Sequence, residues 1–235
     1  MSGTGRDLPA RGAPLLLVIF DCDGVLVDSE RISNGVLAQM LGELGWTLSV
    51  EEARATFQGL TLPQVAEIAE RSLGAPLPEG WIELYVRRRA ALFEAELQPV
   101  PGAAELVARV AAAGIGVCVA SQGSLEKTAR SLALTGLAPL FGEDARFSAS
   151  QVAQGKPAPD LFLYAAAGFG VPPCACAVIE DTATGVLAAV RAGMTAYGLT
   201  ADSDEGALRE AGAITAPTLR EAGDLLLGGV DNLKT

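Results

Sequence analysis

LLLVIFDCDGVLVDSE, residues 15–30, sets six apolar side chains, Leu15 to Phe20, directly ahead of three acids, Asp21, Asp23 and Asp28. An unbroken aliphatic run of this kind reads as a strand buried on both faces of a parallel sheet. Gly24 gives the chain freedom to turn where the strand stops. Ligands and chemistry in open α/β sheets collect at the carboxyl ends of strands, so Asp21 falls at the edge where function is expected. Side chains alternate along an extended segment, which points Asp21 and Asp23 the same way and Cys22 away. Two such carboxylates repel unless a cation or a bound proton separates them. A hard divalent cation such as Mg²⁺ does so with oxygen ligands; alternatively, one Asp attacks a substrate while the other carries a proton.

Working outward, two more aliphatic runs deliver polar residues in the same manner. Ile115 to Ala120 reads as a buried strand ending at Ser121, and the following GSLEKTARSLALTG opens a helix with Ser124 as its N-cap. Ala175 to Ile179 reads as another strand, ending in Glu180 and Asp181, with Gly185 letting the next helix approach closely. Between them, KPAPD at 156–160 is a proline-stiffened loop before a helix, Leu161 to Ala167. The chain holds three lysines against fourteen arginines, so Lys156 is not what composition supplies by default. Gly193 to Leu199 and Ala211 to Ala216 read as the last strands, Asp202 to Glu205 as an acidic loop, and Leu219 to Leu227 as a closing helix. Residues 30–98, by contrast, carry helical spacing throughout: Ser33 to Leu44, Val50 to Gln58, Leu62 to Leu73 and Trp81 to Glu96. Arg87, Arg88 and Arg89 form the one dense basic run there, either a solvated helix face or a hold on an anionic substrate.

Composition narrows the function. The chain has 235 residues, half of them hydrophobic, and a net charge of −11. That charge opposes general nucleic-acid binding, which rewards clustered Lys and Arg. The longest apolar runs, such as Val110 to Ala120, stop well short of the roughly 20 residues a membrane helix needs. The N-terminal stretch, residues 1–13, lacks the apolar centre of a signal peptide and reads as a flexible tail, so a cytoplasmic location is expected. Histidine is absent, which excludes Ser-His-Asp and Cys-His hydrolysis and a His-ligated zinc. Cys174 and Cys176 form a CxC pair with no second pair at zinc-like spacing.

FDCDGVLVDSE resembles the first motif of the haloacid dehalogenase superfamily, in the form used by its phosphoglycolate phosphatase and β-phosphoglucomutase branch. Ser121, KPAPD and the EDTATG of 180–185 are similar to its second, third and fourth motifs. The resemblance implies an α/β fold: a doubly wound parallel sheet with a Rossmann-type core, residues 14–29 and 99–235, and an inserted all-helical cap domain, 30–98. It further implies hinge-like linkers that close the cap and exclude water. By the same resemblance Asp21 is the nucleophile that becomes an aspartyl phosphate and Asp23 the general acid and base. Ser121 and Lys156 hold the phosphoryl oxygens. Mg²⁺ is held by Asp21, the backbone carbonyl of Asp23 and Asp181, with Glu180 as a further ligand or a support behind one. Gln122 stands where the family often has Asn. Gln122, Gln58 and Gly59 of the cap loop, and Arg88 are, beside Ser121 and Lys156, the candidates for substrate binding.

The implied activity is Mg²⁺-dependent hydrolysis of a small phosphate monoester, a sugar phosphate or sugar-acid phosphate; FDCDG and DSE resemble bacterial phosphogluconate phosphatases. One alternative is a phosphomutase, although the basic cap loop and cap His of β-phosphoglucomutases are replaced here by Gln58 and Leu62 in the loop and Ser33 on the helix. Another is a non-catalytic protein that binds a phosphate ligand on the same fold. The dehalogenases of the superfamily lack the second Asp, so Asp23 opposes that activity. A small-molecule phosphate ester is the expected partner, with neither nucleic acid nor membrane.

Overall fold

Four residues of the apolar run, Leu17–Phe20, form the first strand, β1, and every one of them is fully buried. The computed structural model describes residues 14–57, 60 and 62–231. Burying a side chain of this size stabilises the fold by about 1.5–3 kcal/mol relative to leaving it in water, which is why the run takes the centre of the sheet. Leu15 and Leu16 precede the strand, and Leu16 is exposed.

Six parallel strands make one sheet: β1, β2 (Gly116–Ser121), β3 (Arg146–Ser148), β4 (Cys176–Glu180), β5 (Thr195–Leu199) and β6 (Ile214–Ala216), in spatial order β3-β2-β1-β4-β5-β6. The chain therefore winds outward from β1 to β3, then crosses back to lay β4 on the other flank of β1. The connections after β1 and β4 leave in opposite directions, and that reversal opens a crevice at their carboxyl ends.

The helices of this unit are α5 (Ala103–Ala112), α6 (Leu125–Leu134), α7 (Asp160–Gly168), α8 (Ala183–Arg191), α9 (Glu205–Ala211) and α10 (Leu219–Asp231). Leu17 and Ile19 point to one face, where Leu161, Phe162 and Ala165 of α7, Val186 and Ala189 of α8 and Leu208 of α9 pack with Cys118, Val178 and Ala196 into one core. Alternation sends Val18 and Phe20 to the other face. Phe20 meets Phe141 edge-on with ring centres 6.2 Å apart, and α5 packs against α10.

By its contacts the chain divides into two compact units. One comprises the described residues up to Leu26 together with those from Pro99 onward, and the other is Val27–Gln98. The first division falls at Leu26, whereas the sequence reading put it after Ser29. The second unit is helical: α1 (Ser29–Glu43), α2 (Val50–Phe57), α3 (Leu62–Leu73) and α4 (Trp81–Glu96). Val65 and Ala69 of α3 are buried, as are Trp81 and Tyr85 of α4, whose rings stack at 6.4 Å. Among the described residues no helix is long and apolar enough to cross a membrane.

Two elements depart from the sequence reading. β3 was not foreseen, being three residues long and led by an arginine. Glu205–Ala211 is a helix, where an acidic loop and the start of a strand were expected; Asp204 caps it by accepting the Ala207 N–H at 2.8 Å. Ile19→Ala in the central strand is expected to lower stability by about 2–5 kcal/mol, read from the midpoint of urea unfolding with the slope unchanged.

Candidate active site

Strand register brings the polar residues level. Phe20 pairs with Val119 on one side and Ile179 on the other, so Asp21 emerges between Ala120 and Glu180, with Ser121 and Asp181 one residue further on. The Asp21 N–H still donates to the Ile179 carbonyl at 3.0 Å, which fixes the backbone at the lip of the crevice.

Lys156 closes this cluster from the loop after β3. Its side chain is only 6% exposed. The ammonium donates to Asp21 Oδ1, to Glu180 Oε1 at 2.6 Å and to the Ala120 carbonyl at 3.1 Å, and it stands 4.9 Å from the centre of the Phe162 ring. Arg191 holds the same loop by donating to the Pro157 carbonyl at 2.9 Å. Gln122 holds it too. Its Oε1 accepts the Lys156 N–H at 3.1 Å, and its side chain fills the space that a Cβ on Gly155 would take.

Glu180 is saturated. Besides Lys156, its Oε2 accepts from the N–H groups of Asp181 and Thr182, both at 3.1 Å, and from Thr182 Oγ1 at 2.8 Å. Of the two roles expected for it, metal ligand or support, these contacts fit the support: Glu180 orients Lys156 and the turn carrying Asp181. Gly185 makes room for it, because a Cβ there would overlap the Glu180 carboxyl group. Gly24 does the same for Asp181: its φ of +79° favours glycine, and a Cβ would overlap the Asp181 carboxylate.

Asp23 is tied from a direction that the sequence reading missed. Lys127, in the first turn of α6, forms an ion pair with Asp23 Oδ2. A usable signal was present, since the scarcity of lysine that marked Lys156 marks Lys127 equally. Ser121 Oγ accepts the Gly123 N–H at 3.1 Å, which leaves its own O–H to donate. Arg88 pairs at 2.6 Å with Glu43, joining α4 to α1 within the helical unit. Gln58 and Gly59 lie outside the described residues, as does the tail, 1–13.

Burial pushes the Asp21 carboxyl up to about 7; Lys156 opposes this, while Glu180 and Asp23 add to it. Burial also pulls the Lys156 ammonium down, but Asp21 and Glu180 outweigh it and hold Lys156 above its ordinary value. With one ammonium shared between two buried carboxylates, Asp21 stays raised. Asp21, Asp23, Glu180 and Asp181 thus gather at one sheet edge, with Lys156 and Lys127 paired into them.

The donors fit a hard cation. Among the described residues no three Asp, Glu, Cys or His side chains converge as a metal cage by themselves. With Glu180 engaged elsewhere, the Asp21 and Asp181 carboxylates and the Asp23 carbonyl would supply an all-oxygen donor set of the kind Mg²⁺ takes.

Residues 15–193 match the family of haloacid dehalogenase-like hydrolases. The chain is 33% identical over 186 residues to the 6-phosphogluconate phosphatase of Escherichia coli, covering 79% of this chain and 82% of that protein. Hexitol phosphatase B of Escherichia coli is 30% identical over 182 residues, 77% of this chain and 81% of the relative. A crystal structure of a haloacid dehalogenase-family hydrolase from Deinococcus radiodurans, with bound phosphate and sodium, aligns with a TM-score of 0.84 at 31% identity, covering 93% and 97% of the two chains.

Two outcomes follow for this cluster of acids. Mg²⁺ at about 100 times its dissociation constant is expected to stabilise the chelator-treated protein by about 2.7 kcal/mol, a rise in Tm of roughly 5–11 °C for a chain of this size, and Asp181→Asn should remove most of the rise. Without divalent cation, folded Asp21 keeps its proton to about pH 7 while the unfolded carboxyl loses it near 3.8. Between those values the folded state binds more protons, so Asp21 makes stability fall as pH rises through that window. Thermal scans in chelator should show the fall flattened in Asp21→Asn.

Proposed function

The chain belongs to the haloacid dehalogenase-like hydrolases, and on that footing we propose that it is a phosphatase of small phosphate monoesters, acting through an aspartyl phosphate on Asp21. One observation carries the reading: the Asp21 carboxylate is held by Lys156 at the mouth of the crevice, with the second acid, Asp23, two residues on. Sugar phosphates or sugar-acid phosphates are the proposed substrates, supported by the phosphogluconate and hexitol phosphatases among its relatives.

Asp21, the carbonyl of Asp23 and Asp181 would hold Mg²⁺. When bound, it supplies the positive charge against which a carboxylate and a phosphate dianion can approach. The need is real, since two unit charges at 4 Å repel by about 4 kcal/mol at an effective dielectric of about 20.

Asp21 attacks phosphorus in line with the ester oxygen. The Asp21 O–P bond forms as the ester P–O bond breaks, and the electron pair leaves on the ester oxygen, which takes the proton of Asp23. The alcohol departs. Asp23, now a carboxylate, removes a proton from water. The water oxygen bonds to phosphorus, the bond to Asp21 breaks, and inorganic phosphate leaves with both carboxyl groups restored. Lys156 offsets charge on the phosphoryl oxygens throughout, and Ser121 donates its O–H to one of them. Glu180 keeps Lys156 aimed at Asp21, and Gln122 holds the backbone from which Lys156 springs.

Phosphate release from p-nitrophenyl phosphate and from a panel of sugar and sugar-acid phosphates, with Mg²⁺ and with chelator, is the test. Asp21→Asn is expected to lower turnover about 10⁴-fold or more, and chelator should abolish release until Mg²⁺ is restored. Undiminished hydrolysis by folded Asp21→Asn would sink the aspartyl-phosphate reading.

A further inference from the structure

We propose that Lys127 is a positioning residue for the general acid and base: by tethering one oxygen of Asp23, it keeps that carboxyl group aimed at the ester oxygen and then at water. This rests on the reading of Asp23 given above. It adds a residue from none of the motif positions, 104 positions along the chain from its partner.

Local structure delivers Lys127 to this point. Ser124 caps α6 and accepts the Lys127 N–H at 3.2 Å, which fixes Lys127 in the first turn. Side chains on a helix lean toward its N-terminus, here back toward the carboxyl edge of β2 from which α6 departs. Gly123 leaves the path open. A Cβ on it would lie 3.0 Å from Lys127 Cδ and 3.4 Å from Ser121 Oγ, so a larger residue would press on the lysine stem. The end of β2 and the first turn of α6 thus carry the Ser121 hydroxyl and the tether on Asp23.

The choice of residue fits. Lysines are three against fourteen arginines, and the two among the described residues, Lys127 and Lys156, both end on acids of this cluster. A compact ammonium on a long stem reaches one carboxylate oxygen and leaves the other for the reacting oxygen. The Lys127 and Asp23 side chains remain 36% and 26% exposed. Proton transfer requires the Asp23 carboxyl group within hydrogen-bond reach of the reacting oxygen, and an ion pair on one of its oxygens restricts its rotation.

The leaving group separates this role from a structural one. p-Nitrophenolate departs without a proton, whereas a sugar alkoxide needs one, and kcat/KM reports the steps through departure of the alcohol. Wild type, Lys127→Met, Lys127→Arg, Asp23→Asn and the Asp23→Asn/Lys127→Met double variant would be assayed in Mg²⁺ on p-nitrophenyl phosphate and on 6-phosphogluconate. Lys127→Met is expected to lower kcat/KM about 100-fold on the sugar-acid ester and less than about tenfold on the nitrophenyl ester. Lys127→Arg should recover most of the loss. In the Asp23→Asn background the second substitution should add less than about threefold, since the residue acts through Asp23.

Equal losses on both esters, a full multiplicative loss in the double variant, or no loss would each overturn the proposal. Equal losses dominated by KM would make Lys127 a phosphate ligand instead. Lys127→Gln, run in parallel and checked for folding by circular dichroism, takes the place of Lys127→Met should that variant not fold. Retained turnover in Asp21→Asn would instead strike the phosphatase reading itself, so the two failures are distinguishable.

Discussion

The ammonium of Lys156, wedged between the carboxylates of Asp21 and Glu180, is the interaction on which the rest of this molecule depends. Taking such charges out of water costs several kcal/mol per ion, and attraction offsets it only where geometry is good and the remaining donors and acceptors are satisfied. Here they are. Lys156 finds a third acceptor in the Ala120 carbonyl, and Glu180 is bonded on both oxygens. The arrangement gathers Asp21, Asp23, Glu180 and Asp181 about two lysines at one edge of the sheet.

The sheet makes the cluster possible. Because β2, β1 and β4 are neighbours in parallel register, three strands that lie far apart in sequence end at the same level. Their apolar bodies anchor the site, and their last residues form it. The cluster is then packed as closely as an apolar core, with glycines standing where carboxyl groups need space: Gly24 beside Asp181 and Gly185 beside Glu180. A methyl group at either position would displace a charge rather than fill a void. Gln122 and Arg191 brace the Lys156 loop from two directions, and both act on its backbone.

The family match runs from residue 15 to 193, while the likeness to the Deinococcus radiodurans hydrolase covers 93% of the chain and includes the strands beyond. β5 and β6 extend the sheet on the flank of β4 and contribute no residue to the cluster described above. The segment that the family matches therefore includes every residue of the cluster.

The central strands, the long helices and the four acids with Lys156 were legible in the sequence, because each rests on a local cause: an aliphatic run too apolar for a surface, a helical stripe, or an acid set where such a run stops. Weakly patterned elements were not. β3 has three residues, and α9 opens on acids that resemble a loop until Asp204 is seen to cap it. What the sequence by itself determined was which residues stand at the sheet's carboxyl edge. Only the tertiary structure decided how they share charge: that Glu180 is spent on Lys156 and Thr182, that Gln122 serves a loop, and that Lys127 reaches Asp23. The physical reason is that a hydrogen bond depends on distances of a few tenths of an ångström between atoms whose separation along the chain says nothing about them, whereas burial of an apolar run is written in the run itself.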